Sequence, residues 1–274
     1  MGSERQVKFD GATFLARHPV FGLRELAEAM GARKTSALYS WVKYHVATGR
    51  LRQLERGLYA PVPPGVDRRA FAPDAFLVGA AAREDAVFAY HSALQLLGAA
   101  HSVFHTVALF TDRRRRPLRV GNVRVEFVSH PPPLVRRRAV GLGVREVRYR
   151  DRAVRVTGPE RTLVEGFRKP RMVGGLEELI QSAAGFSSLD LDLLRTVLKA
   201  YDQKALWGAV GWFLEQYHRT FRVPEEYLRA LERGRPASPH YLPRRQRGKG
   251  GLLVSRWNLV LPESVASLRE PNEA

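Results

Sequence analysis

Apolar residues recur at helical spacing in two stretches near the start of the chain, and Gly31 stands between them. The apolar positions are Leu23, Leu26, Ala27 and Met30 in the first stretch and Leu38, Val42 and Val46 in the second. Because residues three and four apart share one face of an α-helix, each stretch predicts an amphipathic helix. Gly31 favours the left-handed turn that ends a helix, and Thr35 and Ser36 suit the start of the next one. The pattern predicts a helix-turn-helix.

A hairpin is predicted directly after these helices. Apolar residues at 51, 54, 58 and 59 flank the turn Glu55-Arg56-Gly57 and indicate two short strands. Such a hairpin is the wing of a winged helix-turn-helix, so residues 1–63 are predicted to form that domain. Its second helix would enter the major groove of DNA. A further helix, over 8–18, is expected to pack beneath the motif.

Polar and basic residues cover the predicted outer face of the second helix. The candidates for DNA contact are Arg33, Lys34, Thr35, Ser36, Tyr39, Ser40 and Lys43 on this helix, and Arg52 and Arg56 in the hairpin. Their side chains are hydrogen-bond donors that suit phosphates and base edges. The alternative is a solvated helix face on a protein–protein adaptor, because winged helices serve in that role too.

The pattern changes after the proline-rich stretch 61–65, which marks a boundary. Residues 66–274 are predicted as a C-terminal domain with a mixed α/β part (66–157) and a mainly helical part (158–274). Helices are predicted over 74–82, 87–98, 159–168, 176–184, 189–201 and 205–217, and strands over 106–111, 123–128, 145–149, 152–156 and 252–262. Residues 236–251 are expected to form loops. The predicted fold class is α+β.

The chain is strongly basic. It has 45 Lys and Arg residues against 27 Asp and Glu, which gives a net charge of +18 and favours polyanionic partners. Two arginine runs stand out: Arg113, Arg114, Arg115 and Arg116, then Arg136, Arg137 and Arg138. Three interpretations of these runs stay open: solvated turns, a second contact with DNA phosphates, or a contact with an acidic protein.

No arrangement of residues predicts catalysis. The chain has no cysteine, which excludes disulfides and thiolate chemistry. The glycines around Lys249 lack the Ser or Thr of a phosphate-binding loop. His101 and His105 share helical spacing but no acidic third ligand lies nearby. Glu160 and Arg161 are expected to make a local ion pair or a capping contact at the start of their helix. We therefore expect a non-enzymatic protein without a metal or cofactor.

The start of the chain has no apolar segment that could act as a signal peptide, and no run of residues approaches the length of a membrane span. The expected location is the cytoplasm.

Four motifs occur in a fixed order: GRLRQLERGLYAP, FAYHSALQLLG, TGPERTLVEGF with a later Gly-Gly helix start, and SRWNLVLP. In this order, and over nearly the whole chain, the sequence resembles the AbiEi family of antitoxins from type IV abortive-infection toxin–antitoxin systems. The high arginine content departs from the pattern expected of that family.

The resemblance implies a transcriptional repressor that binds inverted repeats in its own promoter. It also implies that the C-terminal domain neutralises a nucleotidyltransferase-like toxin in phage defence. The alternative function is a winged-helix interaction protein that binds an acidic protein or RNA without reading DNA sequence.

Overall fold

The computed structural model describes residues 9–31, 35–113, 115–243 and 250–269. These residues form α-helices and several β-sheets, so the fold is α+β as predicted. They divide into two compact units. Unit 1 comprises the described residues of 1–86 together with 116–126, and unit 2 comprises those of 87–115 and 127–274. Unit 1 thus extends beyond the predicted domain 1–63.

The helices are α1 Gly11–Arg17, α2 Leu23–Ala29, α3 Ser36–Ala47, α4 Ala75–Ala82, α5 His91–Leu96, α6 Pro132–Arg136, α7 Pro159–Arg168, α8 Leu176–Ala184, α9 Leu191–Tyr201, α10 Lys204–Gln216, α11 Glu225–Glu232 and α12 Glu263–Ala266. The strands are β1 Phe21–Gly22, β2 Leu51–Glu55, β3 Leu58–Pro61, β4 Val87–Phe88, β5 Thr106–Thr111, β6 Leu118–Val120, β7 Val123–Ser129, β8 Val144–Tyr149, β9 Arg152–Thr157, β10 His240–Tyr241, β11 Leu252–Val254 and β12 Leu259–Leu261.

Unit 1 begins with three helices and a small antiparallel sheet of order β1-β3-β2. The predicted helices near residues 8–18, 23–30 and 36–48 and the predicted hairpin are confirmed. Gly31 has φ +60° after α2, as its position in the sequence predicts. The elements share one buried core, formed by Phe14, Phe21, Leu26, Ala27, Leu38, Val42, Leu51 and Tyr59.

A second hairpin, β6–β7, begins in unit 1. Val120 pairs with Val123 across its turn, where Gly121 has φ +60°. A Cβ atom at Gly121 would lie 3.0 Å from the Cβ of Ala72, so the turn packs closely on the segment before α4. This contact lies within unit 1, to which residues 116–126 belong. Strand β7 then carries the chain into unit 2.

Unit 2 contains four neighbouring strands and most of the helices. Strand β4 is antiparallel to β5 and parallel to β9, and β9 is antiparallel to β8. The predicted strands over 106–111, 123–128, 145–149 and 152–156 are confirmed. Helix α7 lies in the middle of the core, because every residue of 159–167 is buried.

Helices α8 to α11 complete the core of unit 2 together with a small sheet of order β10-β12-β11. The predicted helices over 159–168, 176–184, 189–201 and 205–217 are confirmed, the last two with shifted starts. Helix α10 approaches Trp257 so closely that a Cβ atom at Gly211 would lie 2.1 Å from its indole ring. Only glycine fits there without displacing the buried tryptophan.

The helix predicted over 87–98 is wrong in its first part. Val87 and Phe88 form β4, which pairs with Phe110 and Leu109 of β5. Tyr90 then has φ +57°, and only the residues from His91 onward are helical. A short apolar run does not by itself distinguish a buried strand from a helix, and pairing with β5 decided the outcome.

The single closing strand predicted over 252–262 is also wrong. The segment folds back on itself, so that β11 and β12 pair antiparallel on either side of a 3-10 turn, Ser255–Trp257. Three helices, α6, α11 and α12, were not predicted. Helix α6 begins within the triple proline, because proline is tolerated in the first turn, and α11 follows Pro224. In the expected loop 236–251, residues 240–241 form β10, and 244–249 lie outside the described residues.

Candidate nucleic-acid interface

Helix α3 exposes the polar face that the sequence predicts. The exposed candidates are Thr35, Ser36, Tyr39, Ser40 and Lys43, and half of the Tyr39 surface is accessible (50%). No residue of α3 is acidic. A duplex phosphate backbone would therefore meet hydroxyl groups and an ammonium group on this face, without a carboxylate from the helix to repel it.

The opposite side of α3 fixes the direction in which that face points. Leu38 and Val42 are buried in the core of unit 1. His45 is buried as well, with its ring 4.2 Å from the ring of Trp41. Burial, together with the nearby Arg50 cation, lowers the pKa of His45, so its imidazole is neutral at pH 7. The inner side of the helix is thus held by packing of Leu38 and Val42 in the core.

Arg33 and Lys34, which the sequence places before α3, lie outside the described residues. Their predicted contacts with DNA stay predictions.

The two hairpin arginines differ in their surroundings. Arg56 is exposed in the turn between β2 and β3, beside Gly57 at φ +81°. Arg52 is only partly exposed, and its Nη1 donates a hydrogen bond to the carbonyl oxygen of Phe71. Arg56 is therefore available to a phosphate, whereas Arg52 stabilises the unit's own backbone.

The sequence analysis missed two features of the same region. One is Tyr44, which lies beside Lys43 on α3 and is more exposed than Tyr39, at 57% of its surface. Its position four residues after Ser40 was the available signal, since that spacing continues one helix face. Arg68 donates from Nη1 to the carbonyl oxygen of Val46 at 3.0 Å and so satisfies a backbone group at the C-terminal end of α3.

The first arginine run is divided between the two units. Arg113 and Arg116 are exposed, but Arg116 belongs to unit 1 and Arg113 to unit 2. The Arg115 guanidinium lies over the Phe127 ring, 5.4 Å from its centroid. Arg114 lies outside the described residues.

The second run lies at the C-terminal end of α6, whose last residue is Arg136. Arg136, Arg137 and Arg138 are all exposed, and Arg137 pairs with Asp202 at 3.0 Å. An ion pair at this exposure contributes little to stability. Two exposed cations of this run are therefore available to solvent or to an acidic partner.

Unit 2 also contains a buried polar network that the sequence analysis placed wrongly. Arg161 does not pair with Glu160; its Nε donates to Oε1 of Glu165 at 2.9 Å, and both side chains are fully buried. Arg161 also donates to the carbonyl oxygens of Val140 and Leu142, at 2.6 and 3.0 Å. The signal in the sequence was the four-residue spacing between Arg161 and Glu165.

Two tyrosines complete this network. Tyr201 donates its hydroxyl hydrogen to Glu165, and burial beside that carboxylate raises the pKa of Tyr201. Arg168 donates to the hydroxyl oxygen of Tyr90 at 3.1 Å. Burial raises the pKa of Tyr90 too, so both phenols stay protonated at neutral pH. The network holds α7 to α9 and to the segment before α5.

Within the described ranges, no three His, Cys, Asp or Glu side chains come close enough to bind a metal ion together. The same residues contain no helix that is both long and apolar enough to cross a bilayer.

Comparison with known proteins finds a likeness in fold. No protein-family model matches the chain, and no curated protein matches it either. Among solved structures, the RV2827C protein from Mycobacterium tuberculosis is similar, with a TM-score of 0.58 and 19% sequence identity over 91% of this chain and 89% of that chain. At this identity the likeness concerns the fold alone.

Proposed function

We propose that the protein is a transcriptional repressor that binds DNA through a winged helix-turn-helix in unit 1. The observation that carries this proposal is the exposed, carboxylate-free face of α3, with Ser36, Tyr39, Ser40 and Lys43 directed away from a firmly packed core. Helix α2, the turn at Gly31, α3 and the β2–β3 hairpin follow one another in the order of such a domain.

In this proposal, binding has two components. Lys43 and Arg56 neutralise phosphates and release counterions, which positions the domain without reading sequence. The N-terminal turn of α3, with Ser36 and the preceding Arg33 and Lys34, reads base edges in the major groove. Affinity from the first component falls steeply with salt, whereas specificity comes from the second.

We further propose that the repressor acts on its own promoter, as the antitoxin of a type IV toxin–antitoxin system in the cytoplasm. Support comes from the order of the four AbiEi-like motifs along both units. The neutralised partner would be a nucleotidyltransferase-like toxin, bound or opposed by unit 2. The exposed arginines of 136–138 suit an acidic surface on that toxin.

A gel-shift titration against the DNA just upstream of the start codon tests the repressor proposal. Binding should survive an excess of scrambled competitor DNA and weaken sharply between two salt concentrations. Replacing Arg33 or Lys34 with alanine should weaken binding by about 1–3 kcal/mol if the contact is with a base. Arg195→Ala, which removes a cation from α9 in unit 2, is the matched control and should leave the titration unchanged.

Co-expression tests the antitoxin proposal separately. A nucleotidyltransferase-like reading frame is expected immediately downstream of the gene, and its product should arrest growth unless this protein is present. The Arg33→Ala/Lys34→Ala double variant should still restore growth, because neutralisation is assigned to unit 2. Loss of rescue in that variant would contradict the assignment.

A second candidate function is that of an interaction protein without sequence-specific DNA binding. Tyr39 and Tyr44 favour it, since exposed aromatic side chains are enriched at protein interfaces. Equal affinity for promoter and scrambled DNA, with little dependence on salt, would support this function against the repressor.

A further inference from the structure

Unit 2 contains a recess of about 610 Å³ between the end of α7, the start of α8 and the C-terminal segment. A recess of this size is typical of small-molecule sites. Its apolar wall is formed by Pro170, Met172, Leu176, Pro243, Pro262 and Val265. None of these residues belongs to the proposed DNA-binding face.

Three cations line the same recess: Arg168, Lys169 and Arg171. Glu177 is the acidic residue among the described lining residues, and its Oε1 accepts a hydrogen bond from Ser264 at 2.5 Å. The described lining therefore carries more positive than negative charge. A ligand with a single negative charge would leave part of this excess uncompensated.

The buried network behind the recess leaves this positive excess in place, because the charge of Glu165 offsets that of Arg161. Glu165 is shared by Arg161, at 2.9 Å, and by Arg168, at 3.9 Å, so one carboxylate serves two guanidinium groups. The Nε of Arg168 is buried without a hydrogen-bond partner. Burial, reinforced by the Arg168 cation, lowers the pKa of Lys169. An anion in the recess would relieve this repulsion.

The start of α8 offers backbone donors at the recess, whereas the N–H groups of Gly174 and Gly175 before it already donate to the carbonyl oxygen of Pro170. Gly174 and Gly175 have φ +88° and +115°, and no side chain caps the start of α8. Gly175 and Leu176 line the recess. The first N–H groups of a helix have no partner inside it and carry the positive end of its dipole, so they add to the attraction for an anion.

We propose that this recess binds a nucleoside di- or triphosphate. Lys169, Arg171 and the start of α8 bind the phosphates, and the partly exposed Met172, Pro243 and Pro262 cover one face of the base. A polyphosphate supplies several negative charges, which matches the cationic side, and a base supplies the flat apolar surface that the other wall requires.

Isothermal titration of the full chain, without DNA and at fixed ionic strength, tests this assignment. The probes are ATP, GTP, CTP and UTP, with inorganic pyrophosphate as the ligand that lacks a base. At least one nucleotide should bind saturably and at least tenfold more tightly than pyrophosphate. The Lys169→Gln/Arg171→Gln double variant should bind that nucleotide at least tenfold more weakly.

The control variant is Arg219→Gln, which removes an exposed cation after α10 and should leave nucleotide affinity unchanged. Thermal melting of each variant checks that it folds. No saturable binding by any nucleotide, or equal affinity for pyrophosphate, would overturn the assignment. Competition by duplex DNA that is lost in the double variant would show that the recess is a DNA-backbone contact instead.

Discussion

Two arginines, one from each unit, show opposite uses of the same side chain. In unit 1, Arg56 is exposed at the tip of a hairpin. In unit 2, Arg161 is fully buried, with a carboxylate, two carbonyl oxygens and the Phe110 ring around it. The net charge of +18 therefore combines surface cations that a partner can use with cations that the fold itself requires. Composition alone cannot separate the two groups.

The difference follows from solvation. An exposed guanidinium keeps its water until a phosphate replaces it, and it adds little to stability before then. A buried guanidinium has lost that water, so its protein partners must replace nearly every hydrogen bond. Removing the first kind of arginine should change binding, and removing the second kind should change folding.

Replacing Arg161 is the strongest test of this contrast. Arg161→Gln should lower the free energy of unfolding by about 3–5 kcal/mol, because Glu165 would be left buried with only the more distant Arg168 guanidinium, at 3.9 Å. Urea denaturation followed by circular dichroism measures this change. Arg136→Gln, which removes an exposed arginine from the same unit, should stay within about 0.5 kcal/mol of the original protein. Equal stabilities for the two variants would refute the contrast.

The β2–β3 hairpin allows a second test of this contrast, in which the exposed Arg56 is compared with the hydrogen-bonded Arg52 and a smaller effect is expected. Arg56→Ala should weaken DNA binding and reduce the slope of log affinity against log salt by about 1, as loss of one phosphate contact requires. Arg52→Ala should leave that slope unchanged, because the Arg52 guanidinium already bonds to Phe71. Gel shifts over a range of salt concentrations compare the variants. A larger change of slope in Arg52→Ala would reverse the two assignments.

Acid should destabilise both units through buried histidines. Burial lowers the pKa of His91 below its ordinary value of 6.5, although the Glu178 carboxylate opposes this effect. Burial likewise lowers the pKa of His45. The unfolded chain then binds more protons than the folded one at acidic pH. The contribution of these histidines to the free energy of unfolding is therefore fully present above pH 6.5, and it is lost as the pH decreases below that value.

Denaturation between pH 7.5 and pH 5 measures this effect. Each histidine lowers the free energy of unfolding by at most about 1.4 kcal/mol for each pH unit of acidification. His91→Gln and His45→Gln should each flatten the decline. Glu178 acts at lower pH: burial raises the pKa of its carboxyl group, but hydrogen bonds from Ser182 and Ser102 outweigh that effect and lower it below 4.5. A stability that rises on acidification would contradict these directions.

Local signals predicted much of the fold. Gly31 has the left-handed conformation after α2 that the sequence indicates, because turn conformation depends on neighbouring residues. Helix α3 begins directly after Thr35 as expected, but the Thr35 side chain makes no capping hydrogen bond. Contacts distant in sequence were not predictable in this way. Strand β4 forms by pairing with β5. Glu165, the partner of Arg161, also accepts a hydrogen bond from Tyr201, which lies forty residues after Arg161 in the chain. The exposed face of α3 was predictable from residue spacing within one helix. The recess in unit 2 was not, because its lining comes from segments that are distant in the sequence.

The hairpin that begins at Leu118 makes unit 1 discontinuous in sequence, since residues 116–126 join it after 87–115 have entered unit 2. During synthesis, unit 1 cannot be completed until these later residues have left the ribosome. A gene fragment that ends at residue 86 lacks one of its hairpins. A single recombination crossover between residues 86 and 87 would likewise separate residues 116–126 from the rest of unit 1.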